Sequence, residues 1–344
     1  MIREITAVIV CWQDAEEARA CVAALASARA RIPPDGVRAS LVVVDNGGGP
    51  SLQEIHALWP GASVLANDSN RGFAPAANQG AELAAGDAIL FLNPDTRAEG
   101  DPFTPIARAF EGDERVAAVA PRLTEMNGSA EPRGPIALAP PGDEDQATFQ
   151  LRRLPTLASD ARELLLVDHL FPNNRARRRA RYADEDRRRP FPVEQAAAAA
   201  LAVRRAAFER VGGFDERFVP AWYEDVDLCA RLAREGGILY APGARFRHRG
   251  GDSATRLGYD RFLPILYRNA LAFRATRYGG AARLTYRALL AMGMLLRLLV
   301  LPFRRDVPRS RSEAARAYLR VLRIALRPPI GRLAAGGSRL TTGS

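Results

Sequence analysis

Four short stretches of the sequence carry side chains suited to chemistry. Val42-Val43-Val44 runs into Asp45-Asn46-Gly47-Gly48-Gly49, where a carboxylate followed by glycines can accept hydrogen bonds from a ribose or a base while backbone approaches the ligand closely. The same residues also make an ordinary turn. Ala88 to Leu92 runs into Asn93-Pro94-Asp95-Thr96, so Asp95 is a hard oxygen donor for Mg²⁺ or Mn²⁺ facing a diphosphate, or a member of an Asn-Pro-Asp turn. Trp222-Tyr223 precedes Glu224-Asp225-Val226-Asp227, three acids opening a helix. Negative charge at a helix start satisfies the macrodipole, and Asp227 can pair with Arg231 one turn on. A general base framed by an aromatic wall for the acceptor fits the pattern as well. The fourth is His248, set among Arg245, Arg247 and Arg249 ahead of Gly250-Gly251, which suggests the rim of a site.

The elements that must deliver these residues are legible in the first third of the chain. Ile5 to Cys11, Ser40 to Val44, Ala62 to Leu65 and Ala88 to Leu92 read as strands, separated by helical stretches at Asp14 to Ala26, Ser51 to Leu58 and Phe73 to Ala85. Continuous apolar strands alternating with helices predict a Rossmann-like α/β fold whose mostly parallel sheet is covered on both faces. Ligands bind beyond the carboxyl ends of such strands, where Asp45 and Asp95 fall. Neither loop holds a G-x-G-x-x-G or Walker pattern, which argues against dinucleotide enzymes and P-loop NTPases.

Between Thr124 and Pro192 the pattern degrades. Residues 127 to 146 read as loop, and Asn174 to Pro190 holds eight arginines, the usual signature of a solvated segment. Gln195 to Val211 reads as a helix or a strand plus a helix, Glu224 to Glu235 as a helix, and Gly237 to Arg249 as two short strands. The expected division is 1–256, with a nucleotide-binding half (1–122) and an acceptor-binding half (123–256), followed by a helical region, 257–344. In that tail Ala288 to Phe303 is apolar but interrupted by Arg297, and its longest uninterrupted stretch is far short of the ~20 residues a membrane span needs. Arg283, Arg287 and Arg297 fall within roughly an 80° arc at 100° per residue. The spacing of Ser310 and Glu313 predicts a capping box, after which Arg316, Arg320, Arg323 and Arg327 line a stripe opposite Tyr318, Leu319, Leu322 and Leu326. These amphipathic patterns predict helices lying on an anionic membrane surface; packing on the catalytic domain or on a partner subunit is the alternative.

The composition is that of an ordinary globular protein: 344 residues, 47% hydrophobic and 26% charged, with a net charge of +10 carried entirely by arginine. Guanidinium suits phosphates, although a GC-rich genome would also replace lysine with arginine. Three scattered cysteines make neither a disulfide framework nor a metal cluster, and with no secretory signal in view the expected location is the cytoplasm. Aromatics are only 7%, and Tyr182 is the sole one among the arginines of 175 to 189, so nucleic acid is not an expected partner.

Taken in order, these segments resemble the family 2 glycosyltransferases, in particular a bacterial rhamnosyltransferase-like branch. The resemblance runs from about Ile5 to Ser253. It rests on the opening strand, VVVDNG, Asn70-Arg71-Gly72-Phe73-Ala74 with Ala77-Asn78-Gln79-Gly80, GDAILFLNPDT, GGFDERF, YEDVDLC and the final histidine with its glycines. It implies a GT-A fold, a nucleotide-diphosphate sugar, a divalent metal (Mg²⁺ or Mn²⁺) and inversion at the anomeric carbon. On that basis Cys11, Trp12, Asp45, Asn46, Asn70, Arg71, Gly72, Asn78, Asn93 and Asp95 are expected on the donor side, with Asp95 and His248 at the metal. Asp225, beside Glu224, is the expected base, and Trp222, Tyr223 and Arg204 are expected to meet the acceptor. Arg204, Arg205, Arg245, Arg247 and Arg249 would assist departure of the diphosphate. The branch favours dTDP-rhamnose, with UDP- and GDP-sugars left open, and a lipid-linked or polymeric acceptor at the inner face of the cell membrane.

Four departures from the family pattern stand out. Cys11-Trp12-Gln13 replaces the usual Thr-Tyr-Asn, Asn93 holds the first D-x-D position, an unbroken alanine run (Ala196 to Ala200) replaces the usual Gly-Ala, and Gly48-Gly49-Pro50 replaces a Ser and an acid. The alanine run keeps an inactive homologue open. A nucleotidyltransferase would need a glycine-rich basic loop after the first strand, which is not there.

Overall fold

In the computed structural model, residues 1–126, 150–250, 257–304 and 310–327 are described. The expected loop at 127 to 146 and the second glycine of the pair, Gly251, lie outside them. The nucleotide half alternates β1 (Glu4–Cys11), α1 (Ala15–Arg29), β2 (Arg38–Asp45), α2 (Leu52–Leu58), β3 (Ser63–Ala66), α3 (Phe73–Glu82) and β4 (Ala88–Leu92). β1 pairs in parallel with both β2 and β4, and β2 with β3. All five residues of β4 are buried, as a strand covered on both faces requires. Small residues let α3 lie close to the sheet: a Cβ on Gly80 would come within 2.4 Å of Val8 Cγ1.

The chain continues through β5 (Thr96–Glu99), α4 (Phe103–Gly112) and β6 (Ala118–Glu125), then β7 (Leu151–Arg152) and three short helices, α5 (Leu157–Leu164), α6 (Val167–Leu170) and α7 (Arg175–Ala180). β8 (Phe191–Val193), β9 (Gln195–Ala196) and β10 (Ala200–Arg204) follow, and then α8 (Arg205–Arg210), α9 (Glu224–Leu232) and β11 (Ile238–His248). The stretch read as helix or strand plus helix is therefore strand plus helix. The two strands expected over Gly237 to Arg249 are one, with a register shift between Ala241 and Arg245. The main sheet runs β3-β2-β1-β4-β10-β6-β11-β5, with β8 beside β11. β10 is antiparallel to both of its neighbours, and β5 and β8 are antiparallel to β11. This is the mixed α/β sheet of the GT-A fold, with one apolar core on each face.

The C-terminal helices α10 (Tyr259–Arg277), α11 (Gly280–Val300) and α12 (Arg311–Leu326) enclose a third core, which takes in Leu164 of α5. Their arrangement corrects two expectations. The apolar helix starts well before Ala288: from Gly280 to Phe303 it spans 24 residues with a mean hydropathy of 1.7 over its best window, long and apolar enough to cross a membrane by length and composition. Two of its arginines point inward rather than toward lipid. Arg287 donates to the Ile324 carbonyl (3.1 Å), and Arg297 donates to the carbonyls of Glu163 (3.0 Å) and Gly293 (3.2 Å). The opposite face, Leu284, Met292, Leu295, Leu299 and Phe303, is exposed, within an arc of about 100°.

Candidate active site

The carboxyl ends of β1 and β2 are tied together. Asn46 N–H donates to the Cys11 carbonyl and Gln13 N–H to the Gly47 carbonyl, each at 2.8 Å. Asp45 Oδ1 accepts the amides of Gly47 (2.8 Å) and Gly49 (2.7 Å), which orients the carboxylate at the sheet edge. Gly49 explains one departure from the family pattern, because a Cβ there would sit 2.6 Å from Cys11 Sγ and 2.8 Å from Asp45 Cγ. Cys11 is buried, and burial, with Asp45 and Asp14 nearby, pushes its thiol up to about 12, so its side chain packs the loop from beneath. Trp12 lies half-buried beside Gly47.

Asn46 is buried and organises the neighbouring loop. Its amide donates to Asn70 Oδ1 (2.9 Å) and the Gly72 carbonyl (3.1 Å), and its Oδ1 accepts from Arg71 N–H (3.1 Å) and Asn67 Nδ2 (3.1 Å). That network leaves Asn70 and Arg71 exposed at the mouth. Asn78, expected on the donor side, instead clamps the GGFDERF segment to α3. It donates to the Phe214 carbonyl (2.9 Å) and Glu216 (3.0 Å) and accepts from Phe214 N–H (2.9 Å).

The Asn93-Pro94-Asp95 loop follows β4 into the same edge. Arg97, which sequence reasoning missed, buttresses it from below by donating to the carbonyls of Pro94 (3.0 Å) and Thr96 (2.8 Å) while paired with Glu17. Asp95 and His248 are both buried, with Oδ1 and Nε2 3.4 Å apart. Asp95 Oδ2 accepts the Gly250 amide at 3.0 Å. Burial on its own would raise this carboxyl, but His248 and the Gly250 amide outweigh it and hold Asp95 low, at about 2. No group of three or more metal-ligating side chains exists among the described residues. Mg²⁺ is ordinarily held by one or two protein groups plus substrate phosphates and water, so an ionised carboxylate beside an imidazole fits a divalent cation completed by the donor's diphosphate.

Glu224 and Asp225 open α9 after a strained turn. Trp222 and Tyr223 are both left-handed (φ 73° and 77°), which costs each bulky residue about 1–2 kcal/mol. Glu224 is buried, and that burial together with the adjacent Asp225 pushes its carboxyl well above the usual carboxylate range. Burial raises Asp225 too, against the Val226 amide, the Arg152 charge and the Ala198 amide, all of which favour its anion. Of the two, Glu224 is held the more strongly toward its neutral form.

Ala198 and Ala199 link the two halves of the site. The Ala198 amide lies close enough to Asp225 to favour its anion, while the Ala199 carbonyl accepts Asn93 N–H at 3.0 Å. The alanine run is buried throughout, between the loop of Asp95 and Asp225.

Several expected residues lie elsewhere. Arg204 pairs with Ala88 at the start of β4, whereas Ala200 pairs with Leu92 at its end. Arg204 donates to Phe110 O (3.1 Å) and Val116 O (3.3 Å), and Arg205 to Gly86 O (2.8 Å), so both are at the opposite sheet edge from the site. Arg247 pairs with Glu99 (3.1 Å), whereas Arg249 stays beside the Asp95 loop, its N–H donating to the Asp95 carbonyl (3.1 Å) and its guanidinium pairing with Glu17 (2.6 Å). The rings of Trp222 and Tyr223, expected as an acceptor wall, pack on α10 against Phe262 (4.6 Å) and Phe273 (5.8 Å).

Residues 6–209, more than half of the chain, match the profile described as glycosyl transferase family 2. The chain belongs to glycosyl transferase family 2. Residues 178–249 of this glycosyltransferase also match a profile described as the N-terminal domain of galactosyltransferase. A Mycobacterium tuberculosis relative, N-acetylglucosaminyl-diphospho-decaprenol L-rhamnosyltransferase, is 28% identical over 274 residues, covering 75% of this chain and 81% of its own. Among solved structures, the mannosyltransferase PcManGT from Pyrobaculum calidifontis with GDP-Man and Mn²⁺ is 14% identical at a TM-score of 0.48, covering 94% of this glycosyltransferase and 86% of its own chain. GalNAc-T7 with UDP, GalNAc and Mn²⁺ is 16% identical at a TM-score of 0.49, covering 83% of this chain, which spans 54% of the GalNAc-T7 chain.

Proposed function

We propose that this enzyme transfers rhamnose from dTDP-rhamnose to a hydroxyl of a lipid-linked glycan, with inversion. The observation that carries the reading is the Ala198-Ala199 segment, which brings Asp225 and the Asp95–His248 pair to one sheet edge. Asp225 takes the acceptor's proton as the hydroxyl attacks the anomeric carbon, and one base facing away from the leaving group implies inversion. Asp45 and the glycine turn hold the nucleoside. A divalent cation held by Asp95 and His248 would neutralise charge on the departing diphosphate. The L-rhamnosyl transfer to a diphospho-decaprenol-linked sugar in the name of the mycobacterial relative supports this choice of donor and acceptor.

The inner face of the cell membrane is the proposed place of work. α11 presents an exposed apolar stripe ending in Leu299 (71% exposed) and Phe303 (84% exposed), and Leu170 and Phe171 are exposed next to the segment its Arg297 holds. The exposed arginines of α7 and α12 supply the charge that an anionic lipid surface attracts. Because arginine-bearing helices pack along α11, the arrangement suits lying in the interface better than spanning it.

The test is nucleoside diphosphate release from dTDP-rhamnose, UDP-sugars and GDP-sugars, with and without lipid-linked acceptor and Mg²⁺ or Mn²⁺. Acceptor-dependent dTDP release that a chelator abolishes is expected. Failure of every sugar nucleotide to bind by calorimetry would support the inactive homologue instead, and pyrophosphate release from a nucleoside triphosphate a nucleotidyltransferase.

A further inference from the structure

The turn that carries the base is gripped by the C-terminal helices. Residues 219–223 join the donor side to α9: Pro220 O accepts Phe73 N–H at 2.7 Å, and the Tyr223 carbonyl accepts Asp227 N–H at 2.9 Å in the first turn of the helix that begins with Glu224 and Asp225. Two consecutive left-handed residues with bulky side chains persist only where surrounding structure over-determines them. No glycine relieves this turn, and α10 supplies the constraint.

Asn269, 1% exposed, spends both amide protons on successive carbonyls, those of Ala221 (2.9 Å) and Trp222 (3.0 Å). Arg274, also 1% exposed, donates from Nη1 to Tyr223 Oη (3.2 Å). Its guanidinium is itself fixed, by a fork onto Asp160 of α5 (Nε to Oδ2 2.8 Å) and by stacking 4.0 Å over the Tyr286 ring of α11. Three elements thus converge on one arginine, which meets the residue immediately before the acidic pair.

We infer that Asn269 and Arg274 are positioning residues for the base, so that the C-terminal helices complete the active site. Neither touches substrate. They hold the 221–223 turn in the conformation that aims Asp225 toward the Asp95 loop. A misplacement of about 1 Å at a reacting group costs on the order of 10²-fold in rate, which is why a turn under strain needs such support. The inference rests on Asp225 being the base, and the test separates the two.

Asn269→Asp, which keeps the shape but turns an acceptor toward the two carbonyls, and Arg274→Lys, which keeps the charge but loses the fork, are compared with Asp225→Asn in full-length protein. Hydrogen exchange of the 219–226 amides is followed alongside turnover. Asn269→Asp should speed exchange there but not in β1 or β4, and should lower kcat by about 10²-fold with donor KM changed by less than about three-fold. Arg274→Lys should lower kcat less than Arg274→Met does, a rescue that packing alone does not predict. If Asp225→Asn is inactive while Asn269→Asp and Arg274→Lys turn over like wild type, the positioning role is overturned. Wild-type exchange rates at 219–226 in folded Asn269→Asp overturn it as well, and do so without reference to activity. Retained turnover in Asp225→Asn would instead overturn the base, leaving exchange to decide whether α10 holds the turn.

Discussion

At the scale of single residues, the adjacent acids Glu224 and Asp225 divide their roles by environment. Both carboxyls are raised by burial, Glu224 the more strongly, with the adjacent Asp225 adding to the effect. An active base must be ionised, so kcat/KM should rise with pH through a limb above the ~3.9 of an ordinary aspartate. Because Glu224 is held toward its neutral form, Glu224→Gln should leave that limb nearly in place; a wild-type limb at or below the ordinary value would contradict this account. The linkage to stability has a definite sign. A carboxyl whose folded pKa is raised stabilises the fold below its unfolded pKa and loses that contribution as pH rises through the folded value. Glu224→Gln should therefore leave Tm unchanged or raise it at neutral and alkaline pH, and a thermal melt series checks it. The glycine turn offers a second prediction. Gly49→Ser forces a Cβ against Cys11 Sγ and Asp45, and should cost about 1–3 kcal/mol, part of which Cys11→Ala restores in a double-mutant cycle.

At the scale of elements, the strands and first helices were legible because their apolar runs are continuous, and β4 has the bounds the pattern predicts, Ala88–Leu92. What was not legible was direction. β10 enters antiparallel between β4 and β6, which carries Arg204 to the sheet edge opposite the site although it follows the alanine run closely in sequence. Spacing likewise placed Arg287 and Arg297 on one arc of α11, but a helical wheel does not say which arc meets the protein, and here the arginines do. The exposed apolar stripe carries its own prediction. Burying one leucine side chain in lipid is worth about 1.5–3 kcal/mol, so Leu295→Asp with Leu299→Asp should cut partition onto anionic vesicles by more than about ten-fold. Surface substitutions of this kind should move stability by no more than about 0.5 kcal/mol. Vesicle sedimentation and thermal melts measure the two, and unchanged partition would remove α11 from the lipid contact.

At the scale of the whole molecule, the net charge of +10 divides by location. Arg97 and Arg249 neutralise buried Glu17 beneath the Asp95 loop, Arg274 and Arg297 join the C-terminal helices to α5, and further arginines are exposed along α7 and α12. Positive charge therefore serves the interior as much as any phosphate surface. The site's acids were legible because each ends or begins an element. Its supports were not: Arg97, though only two residues past Asp95, acts through backbone carbonyls, and Asn269 and Arg274 act from a helix distant in sequence through carbonyls and a tyrosine hydroxyl, so none leaves a local pattern. The central claim is that Asp225 is the base that activates the acceptor. It is tested most directly by Asp225→Asn, measuring dTDP release from dTDP-rhamnose with lipid-linked acceptor together with calorimetric donor binding. The account predicts a fall in kcat of about 10²–10⁴-fold with donor affinity retained. Turnover close to wild type in the folded variant would contradict it.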